Sequence, residues 1–162
     1  MRQIFPSPEG KIRKRMAQLQ ELTTFSGTEG NLAQIAVSQK LSSLFTEDAK
    51  IRLTPVVGGH GGTLTGREDI MNASVGARQL LGGLKVDFLD VVVTIEPGGR
   101  TALVEATGKA VPKGSGEMWV QELRFHFIET EEGWMISSVE TVRTLTLLPV
   151  EPISMWRLAR AV

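Results

Sequence analysis

Cysteine is missing from all 162 residues, and with it go disulfide scaffolds, thiolate zinc sites, iron–sulfur clusters and cysteine nucleophiles. The compartment stays undecided on that ground: the cytoplasm is expected if Met1 is the true start, and the cell envelope or periplasm if a leader or anchor was trimmed. Net charge is also missing. With 18 Lys and Arg against 18 Asp and Glu, no global field favours a nucleic acid, a membrane surface or an acidic partner, so any steering must be local. No apolar run reaches the roughly 18 residues of a membrane span, and MRQIFPSPEG has no apolar signal-peptide core. Histidine occurs twice, at His60 and His126, far apart and without a carboxylate spacing of ligand type, which gives no metal site. No cofactor motif is present either. VVGGHGGTLTGRED lacks the Gly-Lys-Ser/Thr of a phosphate loop, and no dinucleotide G-x-G-x-x-G follows a suitable strand.

What remains is a chain of single-domain size, able to bury a core without covalent staples. The expectation is one domain over residues 1–162, with its core at about 8–145 and a C-terminal extension at 146–162. The first half reads as helical. Ser7 is placed to cap a helix with Pro8 in its first turn, where the missing proline N–H would be unpaired anyway. Ile12, Met16 and Leu19 then share one face, while Lys11, Arg13, Lys14 and Arg15 form a solvated one. After the break SGTEGN, a second helix is expected through Leu32, Ile35, Ala36 and Leu44, followed by a short strand near an edge in AKIRLTPVV. Thr65 and Glu68 have the spacing of a capping box. They predict a third helix from about Gly66, with Ile70, Ala73, Ala77 and Leu80 inward and a stop at Gly82 and Gly83. His60 falls in the loop before that cap.

After Gly83 the apolar period becomes two. LKVDFLDVVVTIE, TALVEATGKAV, EMWVQELRFHFIE and WMISSVETVRTL are separated by Gly- or Pro-bearing turns, which predicts an antiparallel four-strand meander. Leu84, Val86 and Phe88 fall on one phase and Leu89, Val91, Val93 and Ile95 on the other, so a bulge near Phe88 should bend the sheet and create a concave face for the helices.

This order of elements, with LFTEDAKIRL, a loop ending in GRED and a meander ending in GWMISSVETV, resembles the nuclear transport factor 2-like superfamily, including its SnoaL-like branch. The resemblance covers about residues 8–145. It implies an α+β fold: three N-terminal helices packed on a strongly curved, mainly antiparallel sheet forming a cone-shaped barrel with an interior pocket, often dimerising through the sheet face. Members include isomerases, dehydratases, cyclases, epoxide hydrolases, ligand binders and interaction modules, so the fold leaves the function open. The chain has no tyrosine, so the tyrosine donors of the ketosteroid isomerase and scytalone dehydratase branches are absent. Asp87, Asp90 and Arg124 make no clear match to the Asp-Arg-Asp set of the epoxide hydrolase branch.

Alternation names the candidate pocket residues. Trp119, Gln121, Leu123, Phe125 and Phe127 share one face of their strand, and Glu122, Arg124 and His126 the other. The apolar set should face inward as a ligand wall. On the last strand Trp134, Ile136, Ser138, Glu140 and Val142 share a face, which makes Glu140 a candidate general acid or base with Gln121 as its hydrogen-bond partner. A bulge within ISSV would instead turn Val139 inward and leave Glu140 as an outward, ion-paired carboxylate. His126 reads as a rung of a cross-strand polar ladder. His60 reads as a rim residue of the pocket in a supple loop. In LLPVEPISMWRLARAV, Pro152 suits the start of a short helix carrying Met155, Trp156, Leu158 and Ala159. The function expected is retention of a small apolar molecule in the cone; the alternatives are an acid/base enzyme using Glu140 and a dimerisation or interaction module.

Overall fold

The computed structural model describes residues 7–54 and 62–145. Ser7 caps α1 (Pro8–Thr23) as expected, its Oγ accepting from the Gly10 N–H at 3.0 Å. Ile12, Met16 and Leu19 are buried. The basic run does more than face solvent. Arg15 Nε donates to the Trp134 carbonyl at 3.0 Å and Arg13 Nη2 to that of Val91 at 3.2 Å, so two of its four cations fasten α1 to the strands.

α2 (Asn31–Ser42) and α3 (Gly66–Leu80) have the expected period and a different phase. In α2 the buried residues are Gln34, Ser38, Leu41 and Ser42, whereas Leu32 is 84% exposed and Ala36 lies on the surface. In α3 they are Ile70 and Arg78, with Ala73 and Leu80 exposed. The reason is that small polar groups at the crossing satisfy one another. Ser38 and Ser74 share a 2.7 Å hydrogen bond between their hydroxyls, which removes the desolvation penalty that hydrophobicity counting assigns to them. The cap of α3 differs too. Thr65 makes no side-chain cap bond, and its backbone N–H is accepted at 3.0 Å by Asp69 Oδ2 rather than by Glu68.

Arg78 is the largest departure. It is 5% exposed; its Nη2 donates to the Leu22 carbonyl at 2.6 Å, its Nη1 to Glu29 Oε2 at 3.1 Å, and its Cζ sits 4.7 Å from the Phe25 ring centroid. Burial lowers the guanidinium from its ordinary value, and the Glu29 carboxylate opposes that shift. One side chain therefore holds the end of α1, the segment leading to α2 and α3 together.

The strands are β1 (Phe45–Leu53), β2 (Gly62–Thr65), β3 (Leu84–Ile95), β4 (Thr101–Pro112), β5 (Trp119–Thr130) and β6 (Gly133–Leu145). They form one sheet in the order β2-β1-β6-β5-β4-β3. The meander is as expected, β2 is an additional strand, and β1 pairs with β6 in parallel. The sheet is mixed and open, which corrects the closed barrel implied by the resemblance. The bulge in β3 falls between Leu89 and Val92, with Asp90 in the left-handed region at φ 53°; asparagine and aspartate tolerate that region better than other side chains. Leu89 stays on the outer face, 44% exposed. Two further shifts interrupt the β5–β6 register, between Glu122 and Leu123 and between His126 and Phe127.

Helix residues Ile12, Met16, Leu19, Leu41 and Ile70 and inner-face residues Val104, Phe125, Phe127, Trp134, Ile136 and Val139 make one core. The free edge of β3 is covered by side chains of α1 and its C-cap: Gln20 Oε1 accepts from the Phe88 N–H at 2.8 Å, and Thr24 Oγ1 both accepts from and donates to the Val86 backbone. Such an edge offers little to an incoming strand. Among the described residues no helix is long and apolar enough to cross a membrane. The expected C-terminal helix and His60 lie outside the described residues.

Replacing Arg78 by Met removes two hydrogen bonds and strands the Glu29 carboxylate. The expected loss is about 2–4 kcal/mol, because breaking a largely buried pair leaves an uncompensated charge. Urea unfolding should show a lower midpoint at unchanged slope, while Glu29→Gln, which keeps a polar partner, should cost less.

Candidate functional site

A pocket of about 270 Å³ opens between the ends of β1, β3, β4 and β5. Its wall follows from the antiparallel register. Val86 stands opposite Ala110 and Phe88 opposite Gly108, and across β4 these meet Trp119 and Gln121. Leu53, Thr54 and Leu123 complete it. Lys109 contributes to the wall through its place in β4, but alternation with Gly108 and Ala110 sends its side chain to the outer face with its register partners Asp87 and Val120. Among the described residues of these strands, no ionisable side chain therefore faces the cavity.

Gly108 is a spatial requirement. A Cβ there would approach Leu123 Cδ1 to 2.8 Å, so the absent side chain leaves the Leu123 position and the cavity beside it open. Phe88 is held from behind by an edge-to-face contact with Phe125, with ring centroids 5.5 Å apart at 85°.

The polar groups at the mouth form a closed ring. The Thr54 N–H donates to Thr141 Oγ1 at 3.1 Å, Thr141 Oγ1 donates to Gln121 Oε1 at 3.2 Å, and Gln121 Nε2 donates to the Thr54 carbonyl at 2.8 Å. This ring ties the end of β1 to β5 and β6 and fixes the glutamine. An amide nitrogen carries two protons, and among the described residues one of them is accepted, by the Thr54 carbonyl.

Of the residues expected at the site, Trp119, Gln121 and Leu123 line the pocket. Phe125, Trp134 and Ile136 do face inward, but they are 1%, 2% and 0% exposed in the core beneath it. Glu140 is not in the pocket. Ser137 is the extra residue in β6, since His126 pairs with Ser138 and Phe127 with Ile136; Val139 thus turns inward, 6% exposed, and Glu140 outward. There its carboxylate lies 3.5 Å from His126 Nε2, both side chains about two-fifths exposed. Arg124 and Glu105 form the adjacent pair at 3.6 Å, completing the polar ladder read for His126. Among the described residues no group of three or more His, Asp or Glu could hold a metal ion.

Sequence reading missed Leu53, Thr54, Val86, Phe88, Gly108 and Ala110 as wall residues. Val86 and Phe88 were legible as an inward pair, but the register placing them over two residues with little or no side chain was not. Thr141 carried no local signal at all.

The arrangement has clear relatives. An NTF2-like protein with a cystatin-like fold from Novosphingobium aromaticivorans aligns over 93% of this chain and 88% of its own, with TM-score 0.65 and 22% identity. Aln2 from a Streptomyces species aligns over 98% and 100%, with TM-score 0.63 and 15% identity. A chain of the yeast deubiquitinase Ubp3 and Bre5 cofactor complex aligns over 83% and 92%, with TM-score 0.59 and 14% identity. At these identities the likeness is one of fold. No curated protein matches the sequence. Residues 30–140 match the SnoaL-like domain, and the chain belongs to that family, within the NTF2-like superfamily.

Proposed function

We propose that this chain binds a small, uncharged, predominantly apolar molecule in the pocket between β1, β3, β4 and β5, and holds it without acid/base chemistry. The observation that carries this reading is the wall itself: Leu53, Val86, Phe88, Ala110, Trp119 and Leu123 around about 270 Å³, with Gln121 and Thr54 as its polar side chains. Pockets of this make-up take their affinity from apolar burial and their orientation from one or two fixed polar groups. A cation or carboxylate on the ligand would lose its hydration with no opposite charge to meet. The acid/base reading of Glu140 needs its carboxyl in the cavity, and Glu140 lies on the other side of the sheet, beside His126.

We also propose that two copies meet through the outer face of the sheet. The support is the row Glu105, Arg124 and Glu140, in which opposite charges alternate across β4, β5 and β6, with His126 beside Glu140; such a row can face a rotated copy of itself.

Native mass spectrometry of the purified protein, with organic extraction of any mass that travels with it, tests the first proposal. The expected result is a neutral apolar adduct that is lost in Gly108→Leu, whose side chain must occupy the cavity or displace Leu123. An adduct retained in Gly108→Leu would place binding elsewhere.

Glu140→Gln should leave that adduct in place and change stability by less than about 1 kcal/mol, the range of a half-exposed polar pair at a sheet surface. Ligand occupancy by mass and the urea midpoint check the two halves; lost occupancy would return Glu140 to the site.

A further inference from the structure

Lys11, Lys14, Arg15 and Gln18 stand at i, i+3, i+4 and i+7 of α1, one stripe of the helix beside the buried Ile12, Met16 and Leu19. With Gly133 and Trp134 at the start of β6, this stripe walls a second pocket of about 190 Å³. It lies at the end of β5 remote from Trp119 and the apolar cavity.

The wall is made of donors. Arg15 is anchored on neutral acceptors: Nε donates to the Trp134 carbonyl at 3.0 Å, Nη1 to Gln18 Oε1 at 3.0 Å and Nη2 to the Glu132 carbonyl at 3.4 Å. These bonds fix the guanidinium without neutralising it, and they engage only part of its donor fork. They also consume the Gln18 oxygen, so the amide nitrogen is what Gln18 has left to offer. Gly133 permits the anchoring. Its φ of 100° suits glycine, and a Cβ there would come within 3.1 Å of Arg15 Nη2.

No carboxylate lines the pocket. Arg13, the other cation of the run, is paired with Glu9 at 2.9 Å, whereas Lys11, Lys14 and Arg15 form no ion pair among the described residues, although Glu131 and Glu132 lie in the adjoining turn. In a chain whose charges balance overall, three uncompensated cations share one recess. Trp134 adds a further donor: it is 2% exposed, and its indole Nε1–H has no acceptor among the described residues. A solvated helix face accounts for two lysines. It does not account for a guanidinium pinned on two carbonyls beside them, or for a buried donor without a partner.

We propose that this recess binds the phosphate group of a small soluble molecule, held by Lys11, Lys14, Arg15 and Gln18. A phosphate dianion answers several cations at once and accepts hydrogen bonds on every oxygen, which a single carboxylate does not. The donors line a recess between helix and turn, which suits a compact anion better than a flat membrane surface. The inference is independent of what the apolar cavity binds.

The test titrates the full chain, labelled with nitrogen-15, with inorganic phosphate and separately with sodium chloride at matched ionic strength, because screening alone perturbs exposed cations. Phosphate, and not chloride, should shift the Gly133 amide and the Trp134 indole N–H saturably while leaving the Trp119 indole in place. Replacing both exposed lysines, Lys11→Gln with Lys14→Gln, should weaken that binding by about tenfold or more, as expected for lost charge-assisted hydrogen bonds. An unmoved Trp119 indole resonance shows that this variant is folded. Equal responses to the two salts, or no saturation by phosphate, would overturn the proposal in favour of a solvated face. Saturation that survives the double replacement, or that moves Trp119 in place of Trp134, would put the anion elsewhere and overturn it too. In a parallel flotation measurement, retention on phosphatidylcholine vesicles only when they carry phosphatidic acid, abolished by the double replacement, would overturn the soluble ligand in favour of a lipid headgroup.

Discussion

Strands of unequal residue count govern this structure. Between fixed register points β3 spends Asp90 and Val91 against the single Ala106 of β4, and β6 spends Ser137 and then Val142 where β5 has no counterpart. Each excess residue bends its strand and reverses the phase of the residues beyond it. The energetic reason in β6 is direct. With strict alternation Glu140 would enter the apolar interior, at a penalty of several kcal/mol for an unpaired ion, and Val139 would lose a burial of about 1.5–3 kcal/mol. One unpaired residue at Ser137 avoids both, and its cost is reduced because Ser137 Oγ donates to the His126 carbonyl at 3.2 Å.

The same economy shapes the helices. α1 is both a core element, through Ile12, Met16 and Leu19, and an edge cover, through Arg13, Gln20 and Thr24 on the backbone of β3. A single helix thereby satisfies the hydrophobic demand of the sheet face and the hydrogen-bonding demand of the sheet edge. Arg78 fixes its far end relative to α3, so helix layer and sheet edge are positioned by one connected set of polar contacts rather than by apolar packing alone.

What was legible in the sequence divides along a physical line. Features set by nearest neighbours were readable: the Ser7 cap, the α1 face, the meander and its turns, and a bend near Phe88. Features set by partners far along the chain were not. Ser38 counts as polar until Ser74 is opposite it, and Arg78 reads as surface until Leu22, Phe25 and Glu29 surround it. The site shows the same division. Trp119, Gln121 and Leu123 follow from alternation on β5, whereas Thr54 and Thr141 enter only through a ring that joins three strands. The two phases open for Glu140 could be told apart only by the β5–β6 register.

Under the proposed function, that ring would make the pocket selective without charge. A glutamine free to rotate would lose side-chain entropy on meeting a ligand and would first have to shed water. Gln121 is already held at both ends of its amide by Thr54 and Thr141, so its remaining proton points from a fixed place. A neutral ligand with an acceptor at that place gains the hydrogen bond at little ordering cost, and one without it leaves a donor unsatisfied against an apolar wall. Under the proposed function, shape would exclude what does not fit beside Gly108 and Leu123, and the fixed donor would discriminate among what does.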